Sequence, residues 1–283
     1  TAGFDDPPVP ALRTSDGPAG VRGPSWTGPP SASFPCGSAL GATWDPDLVR
    51  AVGRALGREA HRKGAHVLLA PTVNLHRVPL SGRSFEFPSE DPVLAAEYAV
   101  AYGRGVQEEG VACCIKHFVG NETEHERMTV SSEIDERTLR ELYFVPFEAA
   151  VTRAEVRAVM SAYNKLNGTF CADHRWLLTE VLREDWGHAG VVMSDWFGTH
   201  SAVESLRAGL DIEMPGPPVQ RGDGLRRALE AGELAEHELD PAVDRVLALV
   251  DWASPDGGSV ASEASGDDPE TRELIRLAAT RAT

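Results

Sequence analysis

Long apolar runs are missing from this 283-residue chain: no stretch reaches the ~18 apolar residues that a membrane span needs, and no membrane partner is expected. Basic residues are few, 27 Lys and Arg against 43 Asp and Glu, giving a formal net charge of −16. No basic run or aromatic–basic interleaving offers a surface to nucleic acid, so that class of partner is excluded. Cysteine is scarce. Cys36, Cys113, Cys114 and Cys171 form no C-x-x-C pair, which argues against a disulfide scaffold and for buried free thiols. The residues from Thr1 onward show no charged stretch leading into an apolar one, the mark of a secretory leader. No G-x-G-x-x-G follows the first strand-like run, so no phosphate-cradling loop for a dinucleotide is expected. H-x-H on a strand and H-E-x-x-H on a helix are also lacking, and neither a metal nor a cofactor is expected.

What the chain does have is alternation. Ala65–Pro71, Val111–Phe118, Ala158–Asn164, Gly190–Asp195 and Leu210–Met214 are short apolar runs of the kind buried in parallel sheets. Helix-like stretches separate them. Asp45-Pro46 and Asp91-Pro92 each place a side-chain acceptor before a proline at the first helical position. The first continues with Leu48, Val49, Val52, Leu56 and Ala60 at helical spacing and ends at Gly64. Further helices are predicted over Asp135–Ala154, Trp176–Trp186, Thr199–Ala208 and Pro241–Trp252. Such alternation predicts an α/β fold, a TIM-type (β/α)8 barrel that is incomplete or irregular at its N-terminal end; such barrels run to about 250 residues. Residues 1–253 are assigned to this barrel. Residues 254–269, polar and glycine-rich, read as a linker, and 270–283 as the start of a following α/β domain.

Barrel enzymes keep their chemistry at the carboxyl ends of the strands, and polar residues gather there. Lys116 and His117 close one strand, Tyr163 and Asn164 the next, Asp195 and Trp196 the one after. Arg83 and Glu86 lie in a glycine-bounded loop, and Asp16 in a turn-rich piece near the start. Singly, each has a structural explanation: a lysine paired with an acid, a satisfied core histidine, a carboxylate capping a helix. Together they offer a carboxylate, cations, hydroxyl-binding groups and an aromatic platform. That mixture suits a neutral, hydroxyl-rich ligand such as a sugar.

The chain resembles family 3 of the glycoside hydrolases, the β-glucosidases in particular. The resemblance rests on Ser-Asp-Gly-Pro-Ala-Gly-Val-Arg-Gly (15–23), Gly-Arg-Ser-Phe-Glu (82–86), Ile-Lys-His-Phe-Val-Gly-Asn-Glu (115–122), Met-Ser-Ala-Tyr-Asn-Lys-Leu-Asn-Gly (160–168), Val-Met-Ser-Asp-Trp (192–196) and Gly-Leu-Asp-Ile-Glu-Met-Pro-Gly (209–216). It implies a retaining enzyme with Asp195 as nucleophile. Trp196 would face the sugar ring, and Asp16 would accept from hydroxyls far from the cleaved bond. Arg83, Lys116 and His117 would grip the middle hydroxyls, Tyr163 would sit beside the nucleophile, and Arg127 would line the pocket. Nearby Lys116 and Arg83 are expected to hold the Asp195 carboxyl down and ionised.

The family's β-glucosidases carry their general acid/base glutamate on a second α/β domain, so the implied partners are a β-glucoside substrate and such a domain of the same protein. The N-acetylhexosaminidase branch instead uses a His–Asp dyad after Lys-His-Phe-Pro-Gly-His-Gly. Here Val119 and Asn121 stand at the proline and second histidine, and His125 is assigned to the surface or pocket rim. A β-xylosidase and a sugar-binding fragment without activity are the alternatives within the same resemblance.

Overall fold

Five short stretches, four of them rich in Val, Leu, Ile, Ala and Met, form a parallel sheet in which every strand lies beside its neighbour in the chain. They are β1 (Thr14–Asp16), β2 (Val67–Leu69), β3 (Ala112–Phe118), β4 (Ala158–Ser161) and β5 (Val191–Ser194). A single parallel bridge from Met193 to Ile212 extends the curl beyond β5. This computed structural model describes residues 4–5, 8–24, 27–253 and 263–283.

Side chains alternate between the two faces of a strand. Leu68, Cys113, Ile115, Val159 and Val192 point outward into a core built with Val52, Leu56, Ala99, Tyr102, Val106, Phe147 and Ala150. Val67, Leu69, Ala112, Cys114, Ala158, Met160, Val191 and Met193 point inward, where they meet Leu249, Val250 and Ala253. Those last three belong to the helix Asp240–Ala253. The fold is therefore a curled half-barrel whose inner face is covered by a helix, an incomplete form of the expected α/β barrel.

The helices are α1 (Gly37–Ala42), α2 (Pro46–Arg62), α3 (Pro92–Glu108), α4 (Val145–Ala154), α5 (Val203–Ala208), α6 (Arg221–Glu230), α7 (Asp240–Ala253) and α8 (Pro269–Arg281). The two Asp-Pro starts behave as read. Asp45 Oδ1 accepts from Leu48 N–H at 3.0 Å, and Asp91 Oδ1 from Val93 N–H at 2.7 Å. The predicted helix over Asp135–Ala154 is broken into Glu136–Thr138, a wide π-turned stretch Leu139–Tyr143, and α4. Pro146 has no N–H to give, so the regular ladder is interrupted there. The helix over Trp176–Asp185 is π-turned throughout. The predicted Thr199 helix starts only at Val203, because the residues after Asp195 are used in a turn in which Gly198 N–H donates to the Asp195 carbonyl at 2.9 Å.

Two strand readings depart from expectation as well. Thr14–Asp16, read as a turn, is a strand, held in place by pairing with Val67–Leu69 rather than by any apolar run of its own. The strand predicted over Leu210–Met214 contributes only the Ile212 bridge. The expected linker falls partly on 254–262, outside the described residues. From Glu263 onward the chain lies against α2: Ala264 N–H donates to the Arg62 carbonyl at 2.8 Å, and Lys63 meets Glu263 at 3.2 Å. The thiols are free, with Cys113, Cys114 and Cys171 buried and Cys36 half-buried.

Candidate active site

The carboxyl edge of the sheet opens into a cavity of about 570 Å³, within the range of ~300–1,000 Å³ usual for ligand clefts. Asp16, Arg83, Lys116, His117, Arg127, Tyr163, Asp195 and Trp196 all line it. β1 delivers Asp16, and β3 delivers Lys116 and His117. Tyr163 follows β4, and Asp195 and Trp196 follow β5. Adjacent residues on a regular strand would face opposite sides. In β3 the register with β4 slips between Ile115 and Phe118, as such irregularities do where a side chain is re-aimed, and both Lys116 and His117 reach the cavity. The Lys116–His117 and Phe118–Val119 peptide bonds are cis.

The cations are paired. Lys116 Nζ donates to Asp16 Oδ1 at 2.6 Å, and Arg22 reaches Asp16 Oδ2 at 3.5 Å. Arg83 grips Glu86 through two bonds of 2.9 and 3.0 Å, while Thr72 Oγ1 donates to the same carboxylate at 3.0 Å. Arg127 donates to Glu124 at 2.8 Å and lies 4.9 Å from the centre of the Tyr163 ring. Burial alone would raise Asp16, but the charge and hydrogen bond of Lys116, with Arg22 and the Gly17 N–H, turn its net direction downward. Of the three carboxylates that line the cavity among the described residues, then, two are tied to cations.

Asp195 is different. It caps no helix. Its Oδ1 accepts from its neighbour's N–H, that of Trp196, at 2.8 Å, the Tyr163 hydroxyl interacts with the same carboxyl, and its Oδ2 is buried with no further hydrogen-bond partner among the described residues. His117 Nε2 stands 3.4 Å from that oxygen. The expectation that cations hold Asp195 down is corrected here. Burial raises the carboxyl, and although Lys116, the Trp196 N–H, Tyr163 and Arg83 all lower it, burial prevails. His117 is held well below the ordinary histidine range, first by burial and then by Arg83, Lys116 and Arg127, so its ring is neutral near pH 7.

Other residues lining the cavity, including Arg22, Leu69 and Met160, were not among the candidate site residues, and Glu86 was noted beside Arg83 without a role. Arg22 and Glu86 belong to the same short motifs as Asp16 and Arg83, and that adjacency was the available signal. Leu69 and Met160 sit on inward positions of β2 and β4, which strand parity alone identifies.

Fold and cavity together define an α/β-barrel protein with a carboxylate-centred polar cleft at the strand ends, the place where barrel enzymes carry their chemistry. The profile of the Glycosyl hydrolase family 3 N terminal domain matches residues 6–249, and the chain belongs to that family. A β-glucosidase of Rhizobium radiobacter is 54% identical over 275 residues, covering 95% of this chain and 33% of the relative. The chain thus spans about a third of that relative's length. β-Glucosidase 3B of Thermotoga neapolitana, solved in complex with glucose, superposes with a TM-score of 0.93 at 40% identity, over 100% of this chain and 41% of its own. The Kluyveromyces marxianus β-glucosidase, also solved with glucose, gives 0.95 at 37% identity over 100% and 35%.

Proposed function

We propose that this chain carries the nucleophile of a retaining β-glucosidase that removes terminal β-D-glucosyl residues. The observation that carries this reading is Asp195 Oδ2, buried with no hydrogen-bond partner among the described residues, in a cavity where Asp16 and Glu86 are bound to cations. That oxygen attacks the anomeric carbon as the bond to the leaving oxygen breaks, giving a glycosyl ester on Asp195. The leaving oxygen takes a proton from a general acid. Water then attacks the anomeric carbon, loses its proton to that same group now acting as base, and the ester C–O bond breaks to free the sugar and the carboxylate. Asp16 is ion-paired with Lys116 and Glu86 with Arg83, so neither is oriented toward the leaving oxygen. The reading therefore places the acid/base on a further part of the protein, in keeping with the one-third coverage of the relatives. Relatives named for β-glucosidase activity, and two solved with glucose, support glucose as the sugar.

The test is intact-mass analysis of the full-length protein after incubation with a 2-deoxy-2-fluoro-β-glucoside bearing a highly activated leaving group, which needs little acid assistance. A single stable adduct on Asp195 is expected. In Asp195→Asn the adduct disappears and kcat/KM falls by ~1,000-fold or more, about 4 kcal/mol of transition-state stabilisation. An adduct on another residue, or full activity in Asp195→Asn, would refute the assignment.

A further inference from the structure

Two buried polar side chains stand behind His117 without lining the cavity. Asn74 lies just beyond β2, and Glu122 in the turn after β3. Asn74 Nδ2 donates to the His117 carbonyl at 3.1 Å and to Glu122 Oε1 at 3.2 Å. Leu75 N–H donates to the same Glu122 oxygen at 3.5 Å. Asn74 Oδ1 accepts from the His117 backbone N–H at 2.9 Å and faces ring Nδ1 at 3.4 Å.

Counting donors decides the protonation. An amide donates at one end and accepts at the other. Two acceptors, the His117 carbonyl and the Glu122 carboxyl, claim the NH2 end, so the carbonyl end must face the imidazole. A carbonyl oxygen only accepts, and the ring nitrogen against it therefore carries the hydrogen. A neutral imidazole has one N–H, which leaves Nε2 as a bare acceptor beside Asp195 Oδ2.

We infer that Asn74, oriented by Glu122, is a positioning residue that fixes His117 as the Nδ1–H tautomer and so sets two acceptors, Nε2 and Asp195 Oδ2, next to each other at the cavity. In the opposite tautomer, Nε2–H would donate to Oδ2 and engage the lone pair needed for attack. With the tautomer fixed, His117 leaves Oδ2 unengaged until a sugar binds, and Nε2 is ready to accept from one of its hydroxyls. The link to attack rests on Asp195 being the nucleophile; the tautomer does not.

The tautomer is read directly by long-range 1H–15N correlation on the full-length protein labelled with 15N-histidine. A protonated Nδ1 and an acceptor-type Nε2 on His117 are expected, and the reverse would overturn the inference. Glu122→Gln, whose amide oxygen still accepts from Asn74, keeps this pattern. Asn74→Leu loses it, gains Nε2–H, and reacts with the fluoro-glucoside about 10- to 100-fold more slowly, the worth of a hydrogen bond to a charged group. An unchanged rate in a folded Asn74→Leu protein whose tautomer has switched would overturn the positioning role while leaving the glucosidase reading intact. Absence of the Asp195 adduct in the wild type, with the expected tautomer present, would overturn that reading alone. If Asn74→Leu does not fold, the wild-type tautomer still decides the question, with Glu122→Gln expected to keep the pattern and Glu122→Leu to lose it.

Discussion

At Asp195, opposing influences act on one carboxyl. Burial raises it, and the charge of Lys116 is foremost among those that lower it. Because the net direction is upward, the carboxylate is ionised only above that raised value, and attack is lost as pH falls through it. Lys116→Met removes the leading lowering influence, so the acid limb of the kcat/KM profile moves to higher pH. Paired pH profiles on an activated β-glucoside check this, and a limb that stays or moves to lower pH would show that Lys116 acts on Asp195 in some other way. Lys116, Asp195 and Arg83 were legible in the sequence because each sits in a short contiguous motif. The balance at Asp195 was not, because burial is made by packing of residues from separate strands. Asn74 and Glu122 were equally hidden. Forty-three residues separate Asn74 from His117, and their bond exists only once β2 and β3 pair.

Between elements, the closest approach near the site is that of α1 to the turn Ser84–Glu86. A Cβ built on Gly37 would lie 1.9 Å from the Glu86 carbonyl oxygen. Gly37→Ala must therefore push the helix off the turn that carries Arg83 and Glu86, at a cost of about 1–3 kcal/mol. The expected outcome is a lower melting temperature and a KM raised more than kcat is lowered, read by thermal melts and steady-state kinetics. If only the melt changes, the turn has moved without disturbing Arg83. At this scale the sequence spoke clearly where local chemistry decides. Asp45-Pro46 and Asp91-Pro92 are complete start signals. It was silent where partners decide: Thr14–Asp16 is a strand because Val67–Leu69 lies alongside, and α6, with Gly222 and Gly224 in its first turn, has little helical character of its own.

Across the whole molecule, the strand–helix alternation was enough to place the barrel, but not to show that α7 would lie over the inner face of the sheet. No periodicity distinguishes a helix packed inside from one packed outside, since both present one apolar stripe. Leu249 is buried against that inner face. Leu249→Ala is expected to cost about 2–5 kcal/mol, more than a surface change by far, and the urea midpoint measures it. A loss below about 1 kcal/mol would mean that α7 is not needed to complete the core. The scarcity of cysteine has a use at this scale. Burial pushes the thiols of Cys114 and Cys171 up to about 12 and that of Cys113 well above the ordinary range, so all three are chemically silent while the fold is intact. They lie on β3 and beside it, at the centre of the sheet, and they meet a reagent only when that centre opens. The chain thus contains its own stopwatch for global opening. The rate at which a thiol reagent adds three further mass increments, beyond any at half-buried Cys36, times how often the barrel comes apart.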